Sequence, residues 1–283
     1  MLFYIVILFS LIYSAFSSIS CYDCSLSPDK YNYIITSNMI PSEILTCQFK
    51  VNQTGCLIDI RWYLTTNMTG INFLADETLS SPLEHTLRVK TLMSGFGVIQ
   101  QIEHSFYYFC TTDRCNDANV FKRILESLSL SSQLNELKDL LKPEDPFDGR
   151  NCLIYANTTD KSCNITSDID SKICKQCSTT FTTETTIDTI CATCFRDNVY
   201  GDHLGEEVLF NMTNQARISS WFIRCRSQGC NGLNIGRQIH NKSHISFDFN
   251  KFLSHNTSSK QTTSSSLITI IMIIIAFIIE TFY

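Results

Sequence analysis

The chain has 283 residues, a formal net charge of −5 and 17% charged residues. It holds no basic block for nucleic acid and no lysine cluster for a membrane surface, which excludes partners recognised mainly as polyanions. Its cysteine count of 14 is even, and all of them lie between residues 21 and 230, the pattern of a disulfide framework in an oxidising compartment.

Leu2 to Phe16 is nearly all apolar and aromatic. That length is too short for a spanning helix and fits the apolar stretch of a secretory signal. Ala15 and Ser17 supply the small residues for cleavage after Ser17, with a cut after Ser20 as the second choice. Residues 1–17 are therefore read as a signal peptide. About 240 residues remain after removal of both terminal signals, enough for one or two domains.

Cys21-x2-Cys24 opens a first group of cysteines, followed by Cys47, Cys56, a long cysteine-free stretch and Cys110-x4-Cys115-Asn116. The long stretch predicts strands. LIDIRWYL after Cys56, TLRVKTL from Thr86 and GVIQQIEHSFYYF after Gly97 are rich in β-branched and aromatic residues. Glycines and asparagines punctuate them, as hairpin loops require.

Between Cys115 and Cys152 the periodicity predicts helix up to Pro143. Val120, Phe121, Ile124, Leu125 and Leu128 form one apolar stripe; Leu134, Leu137, Leu140 and Leu141 form another on roughly the opposite side. Either the helix breaks near Ser129 to Ser132 and folds back, or it stays whole and packs one module against each face. PEDPFDG then reads as a turn-rich joint.

Cys152 and Cys163 come next and are expected to bond each other. Cys174-x2-Cys177, Cys191 and Cys194 follow, then a second cysteine-free stretch with the strand-like runs VLFNMT and ISSWFIRC, and finally Cys225-x4-Cys230-Asn231. The order of gap types matches the first group, and an aromatic run, SFYYF or SSWFI, leads into each closing pair. This reads as one module used twice, at 18–117 and 151–232, joined by a helical spacer over 118–150.

Residues 233–258 read as a polar, glycosylated stalk. Leu267 to Ile279 is apolar apart from Thr269, and no Lys or Arg follows before Tyr283. A small residue, a polar spacer and an apolar tail form the pattern of a glycolipid-anchor signal over 259–283, with attachment at Asn256 or Ser258. A single-pass helix is the alternative, and it lacks the basic residues that normally hold the cytoplasmic side. Asn52, Asn67, Asn157, Asn164, Asn211 and Asn241 begin Asn-x-Ser/Thr glycosylation signals; Asn256 begins a seventh and competes with the anchor site.

CYDC at Cys21 to Cys24, with Ile19 two places before it, together with both Cys-x4-Cys-Asn endings, resembles the lymphocyte-antigen-six and urokinase-receptor proteins. Members of that family begin Leu-x-Cys-x-x-Cys and end Cys-x4-Cys-Asn. Both modules lack the further near-adjacent cysteine pair that the family usually carries before the last two, and the stretch from Cys56 to Cys110 is long for it. The resemblance implies a small, disulfide-rich, mainly β protein of two three-finger-like modules, each a cysteine-bonded hub with projecting β loops. It also implies bonds within Cys110–Cys115 and Cys225–Cys230, and bonds from Cys21 and Cys24 to Cys47 and Cys56, with Cys24–Cys47 the first choice. Asn116 and Asn231 read as hub residues, because Asn tolerates unusual backbone angles and its amide can satisfy stranded backbone groups.

Cys174, Cys177, Cys191 and Cys194 also have the spacing of a four-thiolate zinc site. Behind a signal peptide the disulfide reading is preferred, and no metal or cofactor is expected. The histidines His85, His104, His203, His240, His244 and His255 are scattered, with His240 and His244 read as exposed chain near the stalk. Asp202, Glu206 and Glu207 read as loop decoration, and no catalytic residue emerges. The expected function is protein recognition at the extracellular face of the plasma membrane, with the anchor in the outer leaflet. The partner would be an unidentified extracellular protein, met through the loops Thr65 to Pro82 and Asn198 to Asn214. A structural surface coat and a metal-dependent ectoenzyme are the alternatives.

Overall fold

The computed structural model describes residues 19–25, 31–76, 85–96, 99–158, 163, 174–184, 187–196 and 201–254. The expected signal peptide, the anchor signal, Asn164, His255, Asn256 and Ser258 lie outside these residues, and so do parts of both expected contact loops, 77–82 and 198–200. The described chain is mainly β and closed by seven disulfides.

The first half contributes β1 (Ile19–Ser25), β2 (Gln48–Gln53), β3 (Gly55–Tyr63), β4 (Met68–Asp76), β5 (Thr86–Phe96) and β6 (Ile99–Cys110). The second contributes β8 (Tyr155–Ala156), β9 (Gln176–Glu184), β10 (Ile187–Phe195), β11 (Asp202–Asn211) and β12 (Arg217–Cys225). All of these form one antiparallel sheet in the order β2-β1-β4-β3-β6-β5-β11-β12-β9-β10-β8. Period-two alternation sets the faces. Ile58, Ile60 and Trp62 of β3 are buried on one face, beside Tyr108, Phe106 and His104 of β6 in register, while Arg61 and Tyr63 point the other way.

The two halves have the same strand order. From the centre outward, β5-β6-β3-β4-β1 corresponds to β11-β12-β9-β10-β8. They meet where β5 and β11 pair over ten positions, from Thr86↔Asn211 to Gly95↔Asp202. Registers within each half make Lys90 and Glu207 equivalent residues, and these two also face each other across the junction, so a local twofold axis passes through that pair.

The expected spacer is not a helix throughout. Asp117 caps α1 (Ala118–Ser127) by accepting a hydrogen bond from the Val120 amide at 2.7 Å, and Val120, Phe121 and Ile124 are buried under it. The next residues, LSLSS, alternate with period two and form β7 (Leu128–Ser132), followed by a 3-10 helix over Leu134–Leu141. The expected stalk is folded as well. It contains α2 (Ile235–Lys242), β13 (Ser243–Phe247) and α3 (Phe249–Ser254), and β13 pairs with β7. Helix, strand and short helix thus follow each closing cysteine pair, so spacer and stalk are equivalent ends of the repeat.

These ends are exchanged. Leu134 and Leu141 of the first half complete the second core with Leu204, Trp221, Ile223, Ile235 and Ile239. Ile245, Phe247 and Phe252 of the second half complete the first core with Leu87, Val89, Phe106, Tyr108 and Phe121. Both arms lie on the inner sheet face, where α2 sits so close to β9 that a Cβ at Gly236 would run into the Phe181 ring.

Candidate functional site

The closing cysteines pair as Cys110–Cys115 and Cys225–Cys230, and behind each the asparagine is fully buried. Asn116 Oδ1 accepts from the Tyr22 amide at 2.9 Å and Nδ2 donates to the Tyr22 carbonyl at 2.8 Å and to the Leu57 carbonyl at 3.4 Å. Asn231 does the same with Leu153 (2.9 Å each way) and the Ser178 carbonyl (3.2 Å). Each side chain therefore acts as a ladder rung, tying the closing turn of its half to the half's opening segment, Tyr22 in β1 or Leu153 just before β8.

This match corrects the expected alignment of the cysteines. Tyr22 is equivalent to Leu153, so Cys21 corresponds to Cys152 and not to Cys174, and Cys56 corresponds to Cys177. The bonds agree: Cys21–Cys56 and Cys152–Cys177. Cys152 does not bond Cys163. Cys163 pairs with Cys191, and Cys174 with Cys194, so every sulfur of the zinc-spaced group is held in a disulfide. Cys24–Cys47 is particular to the first half, where it ties β1 to the chain entering β2.

The expected contact loops are largely strand: 68–76 is β4 and 202–211 is β11. What projects are tight turns. Asn67 is exposed with φ 55° in the β3–β4 turn. At the β11–β12 turn Asn211 Oδ1 accepts from the Thr213 and Asn214 amides. Asn157 is exposed beside β10, where its Nδ2 donates to the Asp188 carbonyl at 2.9 Å, and Asn241 is exposed on α2. Asn52 lies in the edge strand β2, and its side chain is not among the described ones.

The outer sheet face lies opposite the one on which the exchanged arms complete the two cores. Across the junction it carries cations seated on rings: Arg61 over Tyr107 at 5.7 Å, Lys90 over Phe222 at 5.1 Å and Arg224 over Phe195 at 4.4 Å. His203 meets Phe222 edge-on at 5.8 Å. Carboxylates interleave with the cations: Asp59 pairs with Arg61 at 3.4 Å, and Glu207 with Arg88 at 3.5 Å. Burial pushes the Glu103 carboxyl upward, against the pull of Arg61 and Lys90. Burial also lowers His203. At Gly205 a Cβ would strike the Thr91 carbonyl and crowd the tip of the Phe222 ring, so glycine permits the close approach there.

On the inner face a buried polar row crosses the junction: His104, Thr91 and Glu206 are consecutive partners in register. Burial drives the His104 imidazole down to about 4. Glu206 is fully buried, and that burial lifts its carboxyl to about 7 against the opposing pulls of Ser243, Arg217 and Trp221. The Ser243 hydroxyl donates to Glu206 Oε2 at 2.7 Å, and Arg217 Nη2 lies 3.7 Å from Oε1 while donating to the Ile245 carbonyl at 3.2 Å. Both contacts clamp the exchanged strand β13 to β11. Glu206 and Asp202 are thus no loop decoration; Asp202 is also buried and holds Arg226 at 2.8 Å. His240 and His244 are exposed, and His240, which sits on α2, packs edge-on against Trp221 at 4.6 Å. The alternation of Asp202, Leu204, Glu206, Val208 and Phe210 was the available signal for an inward-facing acidic pair.

Among the described residues the one grouping of three possible metal ligands, Cys56, Cys110 and Cys115, consists of disulfide sulfurs. No family model matches the chain, and neither a curated protein nor a solved structure matches it.

Proposed function

We propose that this is a glycosylated, glycolipid-anchored cell-surface protein that recognises an extracellular protein non-covalently, built from two three-finger-like modules of the kind its cysteine signatures resemble. The observation that carries the reading is the outer face. Aromatic and Arg side chains, types enriched at protein-binding hot spots, are displayed there on the strands of both halves, Tyr107 with Arg61 in the first and Phe222 and Phe195 with Arg224 in the second. Three antiparallel strand pairs in the first half, β1–β2, β3–β4 and β5–β6, suit the three-finger reading, and the second half repeats two of them, β9–β10 and β11–β12. Disulfide closure suits an extracellular setting.

The test is binding of the protein to cells or to an array of extracellular proteins, comparing wild type with a Tyr107→Ala/Phe222→Ala double variant of unchanged melting temperature. Binding should fall at least about tenfold, as expected for the loss of two anchors. Unchanged binding would remove the outer face from the reading. Release of the intact protein from cells by a phosphatidylinositol-specific lipase tests the anchor separately.

A further inference from the structure

The polar row that crosses the junction on the inner face has a set of unmet bonds. His104, Thr91, Glu206 and Trp221 are consecutive cross-strand partners on β6, β5, β11 and β12, and all four are 0–9% exposed. His104 Nε2, Thr91 Oγ1, Glu206 Oε1 and Trp221 Nε1 are each buried with no hydrogen-bond partner among the described residues. The indole acts on the Glu206 carboxyl without meeting the geometry of a direct bond, and Arg217 Nη2 stands 3.7 Å from Oε1, farther than a direct bond reaches. Buried polar atoms left in this way destabilise a fold unless something bonds them.

The fold does not demand polarity here. The local twofold axis relates the row to Ser219, Val208, Val89 and Phe106, which are likewise buried and consecutive in register. At that equivalent place two valines and a phenylalanine close the sheet face with side chains that need no bonds. The polar version therefore calls for a partner that the apolar version does without.

Facing side chains on neighbouring strands have Cβ atoms about 4.5–5.5 Å apart. Polar atoms on such side chains that do not touch are within reach of one water bonded to both, and a buried water needs two to four such partners. Four donors and acceptors one strand apart supply them in a line. Arg217, whose side chain is 43% exposed, connects the Glu206 end of that line to solvent.

We infer that the row is an internal water-binding site, a chain of ordered waters held by His104, Thr91, Glu206 and Trp221 beneath the exchanged strand β13, whose Ser243 reaches down to Glu206. The site also keys the register of the two halves. Sliding β11 along β5 by two residues keeps every face but sets Glu206 opposite Val89 or Met93, among apolar side chains and away from its waters.

A high-resolution crystal structure of the disulfide-intact protein tests the site directly. Density is expected for at least two waters, each within hydrogen-bond distance of two of the four atoms. Thr91→Val separates a wet row from a dry one, because Val208 shows that the fold accepts valine at the equivalent position. With water bound to Thr91 Oγ1, the variant loses those bonds and its unfolding constant in urea should rise about threefold to tenfold. Thr91→Ser keeps the hydroxyl and should keep the waters in its own crystal structure. A row without ordered density in wild type or in Thr91→Ser overturns the inference. So does a Thr91→Val chain at least as stable as wild type, since a buried hydroxyl with no partner is better replaced by a methyl group.

Discussion

Replacing Glu206 by Gln should make this protein more stable at neutral pH, and the size of the gain follows from the site. The carboxyl is raised from 4.5 to about 7 in the folded chain. Between those values the folded chain holds a proton that the unfolded chain releases, so folding stability falls as pH rises through the window and levels off above it. The difference amounts to about 3 kcal/mol at 1.36 kcal/mol per pH unit. Gln imitates the protonated acid and keeps an acceptor for the Ser243 hydroxyl. The lost pairing with Arg217, whose side chain is 43% exposed, subtracts at most about 1 kcal/mol. Urea unfolding with the disulfides intact, followed by tryptophan fluorescence from pH 4 to 8, measures the stability of both proteins. The difference, variant minus wild type, should climb by about 3 kcal/mol between pH 4.5 and 7 and then stay flat. Other groups cancel in that difference, including His104, whose lowered pKa removes stability as pH falls from 6.5 through about 4. A flat difference curve, or a variant less stable than wild type at pH 7.5, would refute the argument that Glu206 is held protonated by burial.

His104→Leu should show the mirror image, abolishing an acid-side loss of about 3 kcal/mol between pH 6.5 and 4 in the same assay. Asn116→Ala strands the Tyr22 amide and carbonyl inside the hub and should cost about 2–4 kcal/mol by urea unfolding. Asn116→Asp should be worse at pH 7 than at pH 4, because a carboxylate there faces the carbonyl of Tyr22; equal loss at both pH values would contradict the hydrogen-bond assignment. Arg226→Ala leaves the buried Asp202 without its cation, with the Gln176 amide still donating to it at 2.8 Å, so a loss of about 3 kcal/mol by urea unfolding is expected. Mass spectrometry of the non-reduced protein should find peptides linked through Cys152–Cys177 and Cys163–Cys191, and a Cys152–Cys163 link would overturn the alignment of the two halves.

The strands richest in β-branched and aromatic residues were legible: β3, β5, β6 and β12 stand out because their inward and outward positions differ in kind. β9 and β10 do not, since Thr179, Thr180, Thr182 and Thr183 serve both faces of β9 with one residue type. The repeat was legible from its endings, where Cys-x4-Cys-Asn has one geometry to satisfy. Its internal alignment was not, because the tight pairs Cys21-x2-Cys24 and Cys174-x2-Cys177 look alike while their first members bond differently. Helical periodicity up to Pro143 was a half-truth. Leu128 fits the helical stripe that begins at Val120 and also starts the period-two run Leu128-Ser129-Leu130, and pairing with β13, 115 positions further along at Leu130↔Ile245, decided for the strand. Glu206 was hidden for the same reason: its role depends on Ser243 and Arg217, which only the arm exchange brings to it.

The crossed arms have a consequence for any attempt to take the protein apart. A half comprising residues 18–150 would present β5 as a bare edge ten residues long, alternate residues of which lose their ladder hydrogen bonds, with Leu134 and Leu141 stranded in water and its own core lacking Phe247 and Phe252. The cheapest repair available to such a fragment is another copy of itself, edge to edge and arm over arm. The whole chain is in this sense a dimer whose partner is covalently guaranteed, and proteolytic nicking within residues 143–148 should leave two pieces that elute together until they are unfolded.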